Sequence, residues 1–427
     1  MACAGSLRGE RVDWIRQMGR PARQAGSFGV SVDELGNVYI SGYAAGDLGG
    51  PSAGDHDAFV SKYDSSGNVV WTRQFGTTGR EGGRAISADG LGYVYVSGYT
   101  TCSLSGPNAG VADAVVRKYD SSGAVIWTQQ LGTTGVDVSH GVSADGLGNV
   151  YVSGSTVGNL GDTNAGAWDA FVSKYDAAGS LVWTRQLGTI GNDHGYGVSA
   201  DGLGSVYISG ITGGNLSGSS PGGYDAFLSK YDADGGLLWT RQLGGTGDDE
   251  SHGISADRHG NVYISGATEG GMSGPSAGEY DAFVSKYDAA GSPVWTHQLG
   301  TLVNDASLGI FADGMGDVYI SGHTYGSLGG TNAGLADAFV SKYTAAGALL
   351  WTSQIGSLTY DVAHGVSSDK HGNVYISGVT FGYLGDPSHG GISAFVAKIV
   401  DLVVPEPCSV ALATAGMIAL SVVRRKR

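Results

Sequence analysis

Asp57-Ala58-Phe59-Val60-Ser61-Lys62-Tyr63 returns every 56 residues: its aspartate recurs at Asp113, Asp169, Asp225, Asp281 and Asp337, and a seventh copy reads Ser393-Ala394-Phe395. A second phrase, Tyr-Ile/Val-Ser-Gly, keeps the same step, with its glycine at Gly42, Gly98, Gly154, Gly210, Gly266, Gly322 and Gly378. Self-similarity at a fixed period means that one short unit is repeated and that neighbouring units share a core. The phrases define seven such units.

One unit, His140 to Gln186, shows what is repeated. Gly141-Val142-Ser143-Ala144-Asp145 alternates and stops at Gly146-Leu147-Gly148. Asn149-Val150-Tyr151-Val152-Ser153 follows and ends at Gly154. After a Gly/Asn/Ala loop comes Asp169-Ala170-Phe171-Val172-Ser173-Lys174-Tyr175, and the turn Asp176-Ala177-Ala178-Gly179 leads into Leu181-Val182-Trp183-Thr184-Arg185-Gln186. Four short runs rich in Val, Tyr, Phe and Trp, separated by Gly/Asp/Asn turns, predict a four-stranded antiparallel meander. Seven meanders predict an all-β, seven-bladed β-propeller, in which radial repetition protects strand edges.

The ends predict how the ring closes. Tryptophans at Trp71, Trp127, Trp183, Trp239, Trp295 and Trp351 hold the period, and Trp14 stands one residue out of step. The chain thus opens on the fourth kind of strand, Trp14 to Gln17, and finishes on the third kind near Ile399. The first strand is expected to complete the last blade. The propeller is therefore assigned to residues 12–400, between an N-terminal segment (1–11) and a tail (401–427).

Composition fits that fold. Gly is abundant, at 76 of 427 residues, and only 15% of residues are charged, which suits many short strands and tight turns. A formal net charge of −15 argues against nucleic acid, whose binding rests on Lys and Arg neutralising phosphates, and leaves divalent cations as compatible partners. The three cysteines, Cys3, Cys102 and Cys408, make no disulfide framework or CxxC site. Met1 to Glu10 has no apolar core of a signal peptide.

Equivalent positions of seven units form rings, and each ring is judged as a set. Glu81, Asp137, Asp193, Asp249, Asp305 and Asp361 make an acidic ring before the Gly-Val-Ser strand, with Ala25 in the first unit. These are candidate Ca2+ ligands, set against the preferred reading that each caps its own loop. The Asp of Ser-Ala-Asp (Asp33, Asp89, Asp145, Asp201, Asp257, Asp313, Asp369) approximates a sialidase Asp-box, but the glycine is one place too far and no Trp follows; an Asx-type turn is expected instead. Lys62 and its equivalents through Lys398 are expected to be paired structurally. Asp232-Ala233-Asp234-Gly235-Gly236 lacks the later Glu of an EF-hand and reads as a hairpin turn.

The variable ring is the candidate ligand site: Phe28, Arg84, His140, Tyr196, His252, Leu308 and His364 open the Gly-Val-Ser strand. If that strand is innermost, Arg84, His140, Tyr196, His252 and His364 meet near one mouth of the channel. The histidines stand two blades apart, too distant to share a metal at His–metal bonds of about 2.0–2.1 Å. No Gly-x-Ser-x-Gly, His-Glu-x-x-His, Walker A or dinucleotide fingerprint is present.

The phrases Asp-Ala-Phe-Val-Ser-Lys-Tyr, Gly-x-Val-Trp-Thr-x-Gln-Leu-Gly and Ser-Ala-Asp-x-x-Gly-Asn-Val-Tyr-Ile-Ser-Gly, recurring in register, resemble the bacterial SBBP (seven-bladed β-propeller) repeat family over about residues 12–400. That resemblance implies a secreted or surface-exposed propeller, mostly without a defined activity. Val404-Pro405-Glu406-Pro407, the apolar stretch Ser409 to Val423 and Arg424-Arg425-Lys426-Arg427 resemble a PEP-CTERM sorting signal, which implies an exosortase partner and export to the envelope or beyond. Fifteen helical residues at about 1.5 Å each reach about 22 Å, short of a bilayer core of roughly 30 Å, so the short hydrophobic helix suits a transient anchor with cytoplasmic arginines. Such proteins carry an N-terminal signal peptide, and its absence here is expected to reflect a start assigned too far downstream. The expected function is a non-enzymatic surface or matrix module binding an extracellular polysaccharide or protein. The alternative is a polysaccharide lyase or hydrolase with its site at the channel mouth.

Overall fold

The computed structural model describes residues 8–19, 24–218, 222–385 and 391–403. Among them the chain forms seven four-stranded antiparallel sheets arranged as the blades of a ring. In the first blade, strand a is Ala25–Val32, b is Val38–Ala44, c is Asp57–Tyr63 and d is Val69–Phe75, running from the channel outward. In the last blade a is Asp361–Ser368, b is Asn373–Thr380 and c is Ser393–Val403, and its d strand is Arg8–Met18 from the other end of the chain. The expected closure is therefore present, on strands reaching a few residues beyond the 12–400 boundary at both ends. The expected C-terminal helix, like Pro405 to Arg427, lies outside the described residues.

The one-residue offset of Trp14 has a local cause. Trp14 pairs with Lys398 as Trp71 pairs with Lys62, so the strand itself is in step. The connection from Trp14 to Ala25 simply holds one residue more than that from Trp71 to Glu81.

The core lies between blades. Tyr39, Val60 and Trp71 of the first blade pack against Ile86, Val94, Val96 and Tyr119 of the second. Strand c is covered on both faces, which is why every residue from Asp57 to Tyr63 is buried. The Trp-Thr-Arg-Gln phrase is a clasp. The Trp14 indole donates to the Ser65 carbonyl (3.3 Å), and Arg16 donates to the carbonyls of Gly67 (2.8 Å) and Ser66 (3.2 Å), in the c–d hairpin of the next blade. Trp71, Trp183 and Trp239 repeat the bond toward Ser121, Ala233 and Ala289. Gly67, at φ +79°, turns the hairpin where a Cβ would strike the Trp14 ring.

The lysine ring is structural as expected: Lys62, Lys118, Lys230 and Lys286 donate to the same hairpin carbonyls. At the closing blade strands c and d are not joined by a hairpin. There, among the described residues, the buried Trp351 N–H has no acceptor, and Lys342 instead pairs with Asp401 (2.7 Å) and Asp317 (2.8 Å). Burial opposes the Lys342 charge, but these two hydrogen bonds outweigh it and hold the ammonium above the usual lysine range.

Candidate functional site at the channel mouth

Each strand a carries a β-bulge, and the bulged residue is the variable one. Ser27 pairs with Gly42 and Gly29 with Ser41, leaving Phe28 without a partner. The same shift frees Arg84, His140, Tyr196, His252, Leu308 and His364. A bulge re-aims the side chain it frees, and all seven line one central cavity of about 300 Å³. The glycine of Tyr-Ile/Val-Ser-Gly makes this possible. A Cβ on Gly98 would fall on the Gly82 carbonyl oxygen, and Gly42, Gly210 and Gly322 are confined in the same way. That glycine was expected to end strand b, but the strand runs through it to Thr156 in the third blade.

Around the cavity the rings touch. Phe28 meets His364 edge-on at 5.0 Å between centroids, His140 meets Tyr196 at 5.3 Å, and Tyr196 meets His252 at 5.4 Å. Arg84 lies over Phe28 at 5.1 Å and Tyr99 at 5.6 Å, its buried Nε without a hydrogen-bond partner. Burial and the Arg84 charge pull the His140 imidazole down to about 3; burial, then His323 and Arg84, pull His364 down to about 3, so both are neutral. His252 Nε2 sits 3.0 Å from Glu250 Oε2. Above this ring stand Tyr43, Tyr99 and His56, which with Arg80 and Arg84 frame a second hollow of about 190 Å³. Tyr43 and Tyr99 follow the constant Ser-Gly directly, and variability immediately after a constant phrase was the signal that could have found them.

The acidic ring begins strand a rather than preceding it, and its members are fully buried. Loop capping is present: Glu81 accepts from Thr77 N (2.7 Å), Asp193 from Thr189 N (2.6 Å) and Asp305 from Thr301 N (2.6 Å). Burial raises Asp249, Asp305 and Asp361 above the usual carboxylate range, with Asp225, Asp281 and Asp337 adding to it. The Ser-Ala-Asp carboxylates form the expected Asx turns. Asp89 accepts from Leu91 N (3.0 Å), Tyr93 N (2.7 Å) and the Tyr95 hydroxyl (3.1 Å). Asp232 likewise holds only its hairpin, accepting from Asp234 N and Gly236 N. Among the described residues no three His, Cys, Asp or Glu side chains converge as a metal site, and no helix is long and apolar enough to cross a membrane.

A circular array of four-stranded blades around a lined channel defines a β-propeller, and the chain carries SBBP repeats. The SBBP model, described as a beta-propeller repeat, matches residues 13–49, 70–102, 126–162, 182–217, 238–271 and 350–385. Each match runs from a d strand into the next blade, so the repeating unit straddles a blade junction. Regulatory protein FlaEY of Caulobacter vibrioides is 29% identical over 347 residues, covering 70% of this chain and 35% of that protein. An uncharacterized WD repeat-containing protein, L264 of Acanthamoeba polyphaga mimivirus, is 24% identical over 435 residues, covering 77% and 31%. The chain thus spans about a third of the length of these relatives. The WD40 domain of Neurospora crassa Pan2 superposes with a TM-score of 0.48 at 10% identity, covering 87% of this chain and 88% of that domain.

Proposed function

We propose that the chain is a non-enzymatic binding module that holds an anionic saccharide or similar carboxylate-bearing ligand at the mouth of its channel. One observation supports this most: seven bulges deliver the variable side chain of every blade to one cavity, while the framework around them is constant. The chemistry of the ring supplies the ligand class. Arg84 is a cation with a buried, unpaired Nε; Phe28, Tyr43 and Tyr99 are flat apolar surfaces beside it; the neutral His140 and His364 are hydrogen-bonding groups. A guanidinium pairs with carboxylates bidentately, and aromatic rings carry the remaining contact area. A glycan array of uronic-acid and neutral oligosaccharides tests it. Retention of acidic glycans is expected, with Arg84→Ala weakening it about tenfold or more, the loss of one charged hydrogen bond. Turnover of any polysaccharide by the purified chain would overturn the non-enzymatic reading. The His252–Glu250 pair beside Tyr196 favours that rival, because it is an acid–base couple whose histidine lines the cavity.

The Pro405-Glu406-Pro407 motif, the apolar stretch after it and Arg424 to Arg427 support export through an exosortase-type system, with transient membrane anchoring. Removing Pro405 to Arg427 is expected to leave melting unchanged and to abolish surface localisation; unchanged localisation refutes it.

A further inference from the structure

At six of the seven blade junctions two buried acids face each other, and only one of the two had been expected to matter. Strand c opens with Asp57, Asp113, Asp169, Asp225, Asp281 or Asp337, each at most 2% exposed. The next blade's strand a opens with Glu81 or its equivalents, all at 0%. Each strand-c aspartate accepts through Oδ2 from a glutamine of its own strand d, as Gln74 Nε2 does to Asp57 (2.8 Å) and Gln242 Nε2 to Asp225 (2.7 Å). In all six the Oδ1 is buried without a hydrogen-bond partner.

These oxygens point at the second acid. A Cβ on Gly76 would fall on Asp57 Oδ1 and lie 2.8 Å from Glu81 Oε2; one on Gly244 would fall on Asp225 Oδ1 and lie 2.9 Å from Asp249 Oδ2. At these two junctions the carboxylates therefore sit within about 5 Å, and Asp281 and Asp337 act on Asp305 and Asp361 in the same sense; a like charge that close and that dry carries a large penalty unless compensated. No compensating cation is seen: among the described residues none of the ion pairs involves any of these acids. Loop capping does not remove the problem, because it supplies no positive charge and leaves the strand-c Oδ1 orphaned, even beside Glu81, whose two oxygens both accept from Thr77. A hydroxyl completes the oxygen set, as Thr100 does beside Glu81 (2.6 Å).

We infer that each of these junctions is a divalent-cation site of the Ca2+ type, the two carboxylates matching its charge and the threonine hydroxyl adding a neutral oxygen. Oxygen-only donors without His or Cys suit a hard cation, and Ca2+ tolerates irregular geometry where Mg2+ requires a near-octahedral shell. Bound there, the ion staples strand c of one blade to strand a of the next. The seventh junction holds Ser393 and Ala25 in place of the acids, so it binds none.

Calorimetric titration of the chelator-treated full-length chain with CaCl2 is expected to approach six ions per chain rather than seven, and EDTA is expected to lower the melting temperature by several degrees, reversed by Ca2+. Asp225→Asn should remove one ion, whereas Asp64→Asn, in an exposed hairpin, should remove none. A melting temperature indifferent to both EDTA and Ca2+ overturns the proposal. So does a chain that binds no Ca2+ and loses stability as pH rises, which would assign a shared proton to each pair.

Discussion

Removing the first strand should open the ring, and the magnitude follows from what that strand buries. Trp14 is 9% exposed, packed against Gly67 and 6.1 Å from the Tyr375 ring. Deleting a buried tryptophan side chain costs roughly 3–5 kcal/mol. The half-buried Val12 and Ile15 add about 1 kcal/mol each, and the two Arg16 bonds to the next blade about 1 kcal/mol each. The total, about 7–9 kcal/mol, rivals the 5–15 kcal/mol typical of a whole domain. A chain beginning at Ala25 should therefore melt far below the parent, or fail to fold. Adding the peptide 8–19 in trans should restore a cooperative transition whose midpoint rises with peptide concentration. Trp239→Ala, in a blade joined by its own hairpin, should cost only about 3 kcal/mol. Thermal unfolding by circular dichroism reads all three. An unchanged melting temperature for the chain lacking its first strand would refute the closure and the energetic argument together.

Three further outcomes are expected. Gly98→Ala places a methyl on the Gly82 carbonyl oxygen and should cost more than 3 kcal/mol by denaturant unfolding, whereas Gly92→Ala, with open space around it but φ +88°, should cost about 1 kcal/mol. Asp89→Ala strips the partner from two backbone N–H groups and one tyrosine hydroxyl, and should destabilise by about 2–3 kcal/mol in the same assay. The channel histidines are depressed in the folded state, so the unfolded chain binds more protons between about pH 3 and 6.5. Stability should be full above pH 6.5 and fall toward pH 5, by at most about 2 kcal/mol for each ring. Melting curves of His140→Leu with His364→Leu should lose about half of that slope, the remainder coming from His323, which burial likewise pulls down to about 4, and from His194, which burial lowers too; a slope unchanged in the double variant would place it elsewhere.

The fold was legible because its determinants are local and repeated. The 56-residue step, the turn aspartates and the Trp-x-Arg-Gln opening announced blade number, turn chemistry and closure. What escaped was produced by pairing. Gly98 read as a strand terminator because glycine ordinarily weakens a strand; its role emerges only when Gly82 is laid beside it. Asp57 served as a mark of the repeat, while its carboxylate meets Glu81 across a blade junction, 24 positions away in sequence. Arg84 and its ring, by contrast, could be chosen from the sequence, since a variable residue in a constant frame needs no coordinates to stand out.

The bulge has a consequence for how such a chain can change. A residue left out of the ladder makes no cross-strand pair, so its identity is not dictated by the sheet. Phe, Arg, His, Tyr and Leu all occupy this place on one backbone. The architecture thus separates two vocabularies, a rigid grammar of glycine, aspartate and tryptophan that spells the ring, and a single free letter per blade that faces the channel. A seven-letter word can be rewritten one blade at a time without the sentence around it ceasing to fold.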